Sequence, residues 1–306
     1  MKKLIKYIIS ISTLILVISC GEGVVEVTNE SYEPKIAIEG YLIAGQKVDK
    51  IRISRNFPVN ANLTQIGLLP DVNQTDVTIT DLTNNSMYNL TFHIAPDDRL
   101  ENYYWQNNSP GLTITSGKSY RLDVTATIEG KMLHASSVTT VPDSGFSISH
   151  LNYNQLLFRE ENQSGSLKHF EVTFNRSPGI SFYLASAKPL NPSKSNFIYE
   201  NPFLGEEDKD VDVEDYDYQY GWLQDTPTTF GQTVFKVFWA NLWFYDRYEL
   251  IMYATDDNYR EFVQTYNDVQ EDDGNFHEAK FNIEGDGIGV FGSMIADTAY
   301  IEVLRN

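Results

Sequence analysis

The chain is 306 residues long, ample for two domains of ordinary size, and its 42% hydrophobic and 13% aromatic content excludes an intrinsically disordered protein. With 23 Lys plus Arg against 42 Asp plus Glu, the formal net charge is -19. That balance excludes a nucleic-acid partner, because a phosphate backbone is held by clustered cations, and it suits a body that stays dispersed and meets cations or basic partners.

The first residues read MKKLIKYIISISTLILVISC. Lys2, Lys3 and Lys6 precede an apolar run from Tyr7 to Ile18 broken only by small hydroxyls, the layout of a secretory signal. The run is shorter than the roughly 20 apolar residues a membrane-spanning helix needs. Val17-Ile18-Ser19-Cys20 resembles the bacterial lipobox, at which a lipid is bonded to the cysteine sulfur and the chain is cut before it. Residues 1–19 are therefore expected to be removed between Ser19 and Cys20, with acyl chains such as palmitate carried on Cys20. Each buried methylene contributes about 0.8 kcal/mol, so several chains on one residue hold a protein to a bilayer where a single chain would not. Cys20 is the sole cysteine, which excludes an intramolecular disulfide. Cleavage would take away three lysines and no acid, leaving 20 basic against 42 acidic residues. Residues 20–32 are polar enough to serve as a tether, with Glu22 and Glu26 near the anchor.

From Lys35 the pattern has period two. KIAIEGYLIAGQKVDKIRISRNFPV predicts a strand, a turn at Gly45-Gln46 and a second strand carrying Ile51 and Ile53. DVTITDLTNNSMYNLTF predicts the same device, with Val77 and Ile79 before a turn at Asn84-Asn85, then Tyr88, Leu90 and Phe92 on one face. In YRLDVTATIEGKML, Tyr120, Leu122, Val124, Ala126 and Ile128 face inward, Arg121, Asp123, Thr125 and Thr127 face outward, and Glu129-Gly130 turns the chain. Short strands with turn signals and no helical pattern between them predict an antiparallel sandwich over residues 33–142. Pro142-Asp143-Ser144-Gly145 then reads as a linker.

Residues 143–306 predict a second β-rich domain. Its strands are FSISHLNY, HFEVTFN, SFYLASA, TVFKVFWA, RYELIMYA and TAYIEVL, and FWANLWFYDRYEL belongs to its core. One helix is predicted in TDDNYREFVQTYNDV, where Tyr259, Phe262, Val263 and Tyr266 recur at helical spacing and Asp256 or Asp257 caps the start. That helix is expected to lie on the second domain's sheet.

GIGVFG, Gly287 to Gly292, matches G-x-G-x-x-G. A dinucleotide fingerprint needs a helix after it and an acid about 20 residues on, yet 14 residues remain and they read as a strand. The glycines are instead expected to permit positive φ or close backbone approach at a bulged turn between two strands.

In GEEDKDVDVEDYDYQYGW, Asp208, Asp210, Asp212 and Glu214 alternate, so an extended backbone would put four carboxylates on one side, a candidate site for a hard cation such as Ca2+. The order of ligands is not that of an EF-hand, and a solvated loop is the favoured reading, with no cofactor expected. His93, His134, His150, His169 and His277 show no metal-ligand spacing, and HEAKF has Phe281 where a zinc motif needs histidine. No G-x-S-x-G nucleophile motif occurs, so no catalytic residue is assigned and a non-enzyme is expected. The pairs Tyr104 and Trp105, and Tyr220 and Trp222, are candidate stacking plates for sugar rings.

IAIEGYLIAG, VDKIRISRNFPVN, DVTITDLTNN, GKSYRLDVTA and FHEAKFNIEGDGIGVFGSM together resemble the Bacteroidota envelope lipoproteins of the domain-of-unknown-function 4249 family. Glu284 and Asp286 flank Gly285 where that family has a plain glycine pair. The resemblance implies a cell-envelope component associated with a TonB-dependent outer-membrane receptor. It also implies an N-terminal module similar to immunoglobulin-like or carboxypeptidase-regulatory-like sandwiches. It brings no catalytic residues. The sequence reading is thus a lipid-anchored, mainly β outer-membrane protein, periplasmic or surface-exposed. It would serve as a binding or accessory component of an uptake or surface complex, with a glycan-binding module as the alternative and a hydrolase as a third.

Overall fold

The computed structural model describes residues 32–58, 61–64, 66–94, 102–107, 111–205, 212–216, 219–224, 231–269 and 279–306. The strands are β1 (Ile36–Ile43), β2 (Arg52–Arg55), β3 (Thr75–Asp81), β4 (Ser86–Asn89), β5 (Thr91–His93), β6 (Tyr104–Gln106), β7 (Ser119–Ile128), β8 (Lys131–Thr140), β9 (Ser147–Leu151), β10 (Gln155–Leu157), β11 (Phe170–Asn175) and β12 (Phe182–Pro189). They continue with β13 (Gln219–Gln224), β14 (Gln232–Val237), β15 (Asp246–Thr255), β16 (Glu284–Gly285) and β17 (Gly287–Leu304), and one helix, α1, spans Asp257–Val269. The protein is mainly β. Residues 34–56 and 63–306 make one compact unit. The described residues 32–33, 57–58 and 61–62 group separately, and there the Ala61 amide donates to Pro58 O at 2.9 Å.

In the larger unit a seven-stranded sheet runs β13-β12-β15-β17-β1-β2, with β10 also on β17. A five-stranded sheet runs β16-β8-β7-β3-β4, a three-stranded one β14-β11-β9, and β5 pairs with β6. The alternation in sequence explains the faces. β7 buries Tyr120, Leu122, Val124, Ala126 and Ile128, and it turns into β8 through Glu129 (φ 53) and Gly130 (φ 76), the left-handed pair that a two-residue hairpin requires.

Two hydrophobic clusters fill the unit. The first joins β1 and β2 (Ile36, Ile38, Ile53) to β3, β7 and β8 (Ile79, Leu122, Ala135), with Phe291 of β17 inserted among them. The second joins β12, β15 and the end of β17 (Tyr183, Met252, Ile301, Val303) to β11 and β14 (Phe170, Val172, Val237), and it includes Trp239, Leu242, Trp243 and Phe244. The 18-residue strand β17 serves both. Its first half pairs in parallel with β1, Gly287 opposite Ile36 through Met294 opposite Ile43, and its second half pairs antiparallel with β15.

Each cluster holds a tyrosine early in a strand whose hydroxyl returns to the backbone just upstream, a brace also known from the corners of β-sandwiches. Tyr120 accepts from the Thr115 amide at 3.0 Å. Tyr248 accepts from the Phe244 amide at 2.6 Å and donates to Phe244 O at 2.9 Å. Burial pushes the Tyr248 hydroxyl well above its ordinary pKa, so it remains a donor at any physiological pH.

Candidate functional site

The G-x-G-x-x-G stretch lies inside β17 and opens no helix, which corrects the expected turn: the chain runs straight on as strand to Leu304. Each glycine is nevertheless required by packing. At Gly287 a Cβ would fall 2.3 Å from Ile283 Cγ2 and 2.7 Å from Ala135 Cβ. Gly289 has φ +108, and a Cβ there would sit 2.1 Å from Ile38 O across the parallel pair. At Gly292 a Cβ would meet Asp256 Oδ1 at 3.0 Å and Tyr259 Cβ at 3.2 Å, so this glycine makes room for the start of α1. The sharp turn falls earlier, at Gly285 (φ +81), where β16 leaves β8 and the chain crosses to β1. Asp286 secures that crossing: its amide donates to His134 O and its carboxylate accepts from the His134 amide.

The start of α1 meets β8 and β17 at a buried polar junction. Asp256, 6% exposed, caps the helix by accepting the Tyr259 amide at 3.1 Å, while its own amide donates to Ser293 O at 2.9 Å. Its second carboxylate oxygen lies 2.5 Å from Thr139 Oγ1, which is also 2.6 Å from Ser293 Oγ. Thr139 and Ser293 are buried. A hydroxyl has one hydrogen, so Thr139 gives it either to the Asp256 carboxylate or to Ser293 Oγ and not to both. Asn258 extends the junction, its amide nitrogen donating to Val138 O at 2.7 Å and Phe291 O at 2.9 Å. Burial pushes the Asp256 carboxyl up to about 6, against the pull of Thr139 and backbone amides, and neighbouring Asp257 adds to the rise.

Two surface grooves flank this junction. One, of about 350 Å³, is walled by Val138, Val141, Pro142, Pro178 and Ile180 and carries Asp143, Asp256 and Asp257. The other, of about 370 Å³, lies on the far side of Asn258 between Arg121, Ser137, Phe281 and Glu284. Ser137 closes its floor by donating to Asn282 O at 2.5 Å.

The family model described as "Domain of unknown function (DUF4249)" matches residues 23–298. The chain belongs to the DUF4249 family. No curated protein matches this DUF4249 chain. Among solved structures, one that concerns host cell surface retention of a 1.5-MDa bacterial ice-binding adhesin aligns at 11% identity and TM-score 0.22, over 91% of this chain and 66% of that one. The FN1–FN3 domains of chicken CNTN1 align at 11% identity and TM-score 0.24, over 90% of this chain and 70% of that one. The DUF4249 chain thus spans just under two thirds of the length of the first of these.

Of the DUF4249 chain's sequence-marked positions, Ser19, Cys20, Asp208 and Asp210 lie outside the described residues. Asp212 is exposed and precedes a 3₁₀ turn, Val213–Tyr216, that includes the Glu214 backbone, so these two acids do not continue an extended alternation. Among the described residues no group of three or more His, Cys, Asp or Glu is placed to hold a metal ion.

Tyr104 is half-buried and stacks on His93, with centroids 4.6 Å apart. Trp105 is 6% exposed, a core residue whose ring packs on Phe92 and whose backbone exchanges hydrogen bonds with Ile51. Its ring faces are therefore not available to a sugar. Tyr220 and Trp222 have their backbones in β13, opposite Ser186 and Leu184, and their side chains lie outside the described set. Asp256 is legible in sequence as a helix cap. Thr139, Ser293 and Asn258 carry no sequence signal, because the fold alone brings them together.

Proposed function

We propose that this protein is a lipid-anchored component of the bacterial cell envelope, held to the outer membrane through Cys20. Its β body would act without catalysis as a binding or accessory part of an uptake or surface complex, alongside a TonB-dependent receptor. The observation that carries this reading is the leader: three lysines, an apolar run of sub-spanning length, and the chain's single cysteine at its end. Family membership supports it through the envelope setting that the resemblance implies. Among the described residues no helix is long and apolar enough to cross a membrane, and in this reading a covalent lipid would supply the attachment. The two grooves beside α1 offer recessed surface for a partner.

The test is fractionation of cells expressing the native protein and Cys20→Ser, followed by purification in gentle detergent. The native protein is expected in the membrane fraction with a partner in fixed ratio, and the serine variant in the soluble fraction. Membrane retention of the variant would refute the anchor. Recovery of the native protein alone would refute the partner.

A further inference from the structure

We propose that Asp256, Thr139 and Ser293 form a proton-operated latch that fastens the start of α1 to β8 and β17 and closes more tightly as the medium acidifies. Three segments far apart in the chain converge here. Asp256 lies 117 residues from Thr139, and Thr139 lies 154 residues from Ser293. The same carboxyl that caps α1 is the one that reaches across to β8, so whatever changes its charge acts on the helix start and on the strand edge together.

The two charge states use the single Thr139 hydrogen differently. As a carboxylate Asp256 takes that hydrogen, and Ser293 Oγ is left without it. As an acid it becomes a donor, Thr139 accepts from it, and Thr139 turns its hydrogen toward Ser293 Oγ. The two states differ in cost, because a carboxylate in this buried position forfeits hydration that an acid does not need.

The charged groups around the latch do not neutralise that carboxylate. On α1, Asp257 adds to the negative field, and Arg260, the nearest cation of the helix, is 2.7 Å from the Asp257 carboxylate and also contacts Glu261 and the Ser181 hydroxyl. Asp143 lines the same groove from the chain after β8. Arg121 of β7 and Glu284 of β16 line the groove beyond Asn258. From β1, Tyr41 stands edge-on to Tyr259 at 5.3 Å, and burial, with Glu39 nearby, keeps its hydroxyl protonated. Opening the latch returns Asp256 to water, where its pKa falls toward the ordinary 3.8. The open form therefore gains on the closed one as pH rises from about 4 to about 6, after which the balance is level. Opening would loosen the wall shared by the two grooves.

Hydrogen exchange on the full chain in detergent tests this, read at pH 4.5 and 7.5 after correction for the chemical exchange rate. In the native protein, the amides of Tyr259 and Arg260 are expected to lose on the order of tenfold protection at the higher pH, while those of β3 and β7 hold theirs. Asp256→Asn keeps a capping acceptor and abolishes the step. Thr139→Val lowers protection of the helix start at both pH values. Equal protection of the native helix at the two pH values would overturn the latch. So would a step that survives in Asp256→Asn. Because the native protein alone supplies the first comparison, poor folding of a variant does not shelter the proposal.

Discussion

Gly289 combines two demands that no other residue type meets. Its φ of +108 lies where side chains are strained, and Ile38 O occupies the place of a Cβ. Gly45, at φ +80 in the turn after β1, has the strain without the clash, since nothing lies within 4 Å of a Cβ there. Gly45→Ala is therefore expected to cost about 1 kcal/mol, and Gly289→Ala several times that, by denaturant unfolding of the two variants. A nucleotide-binding role would give the opposite ranking in ligand titrations, with Gly289→Ala stable and unable to bind.

Asp256 makes a second prediction at this scale. Its folded pKa is raised from 3.8 to about 6, so its stabilising contribution is complete below about 4 and is lost as pH rises through 6. Asp81, Glu160 and Glu261 behave oppositely. For Asp81, burial pushes upward but the bonds from Lys118 and Thr83 prevail, whereas Lys168 holds Glu160 down and Lys280 holds Glu261 down. What those three contribute is present at neutral pH and lost on acidification below about 4. Melting temperature is expected to rise from pH 7 to pH 5 in the native protein relative to Asp256→Asn, in which that rise is absent and His169, its imidazole held below the ordinary value by burial and by Lys236, works in the opposite direction. A rise retained by the variant would place the titrating group elsewhere.

Among the elements, β17 is the one on which the rest depends. It lies between β15 and β1, receives β10 at its end, and supplies Phe291 to one cluster and Ile301 and Val303 to the other. Both halves are flanked by strands whose own loss would expose a cluster, so their amides are expected to exchange through one common opening. Native-state exchange against denaturant would show merging slopes for Val290 and Ile301, whereas two separate openings would mean that the clusters unfold independently.

The sequence shows β7 and β8 plainly, because Tyr120 to Ile128 alternate without a break and Glu129-Gly130 supplies the turn. It hides the first half of β17, where glycines at 287, 289 and 292 remove the side chains that would have alternated. It also hides β10 and β16, each too short to carry a period. Of the junction, Asp256 is visible because capping is local. Thr139 shares the buried face of Leu133 and Ala135 in β8, but nothing in its own stretch shows that it meets a carboxyl arriving more than a hundred residues later.

For the whole molecule, the proposed reading is a β body built around one shared sheet and held by a lipid on Cys20. The acidity of the chain, which the proposed removal of residues 1–19 would increase, opposes adsorption to anionic surfaces, so that attachment would rest on the lipid. The most direct measurement is intact mass of the protein extracted from membranes. The account predicts a chain that begins at Cys20 and carries the added mass of its acyl chains. A chain that retains Met1 to Ser19, or one that begins at Cys20 with an unmodified thiol, would contradict it.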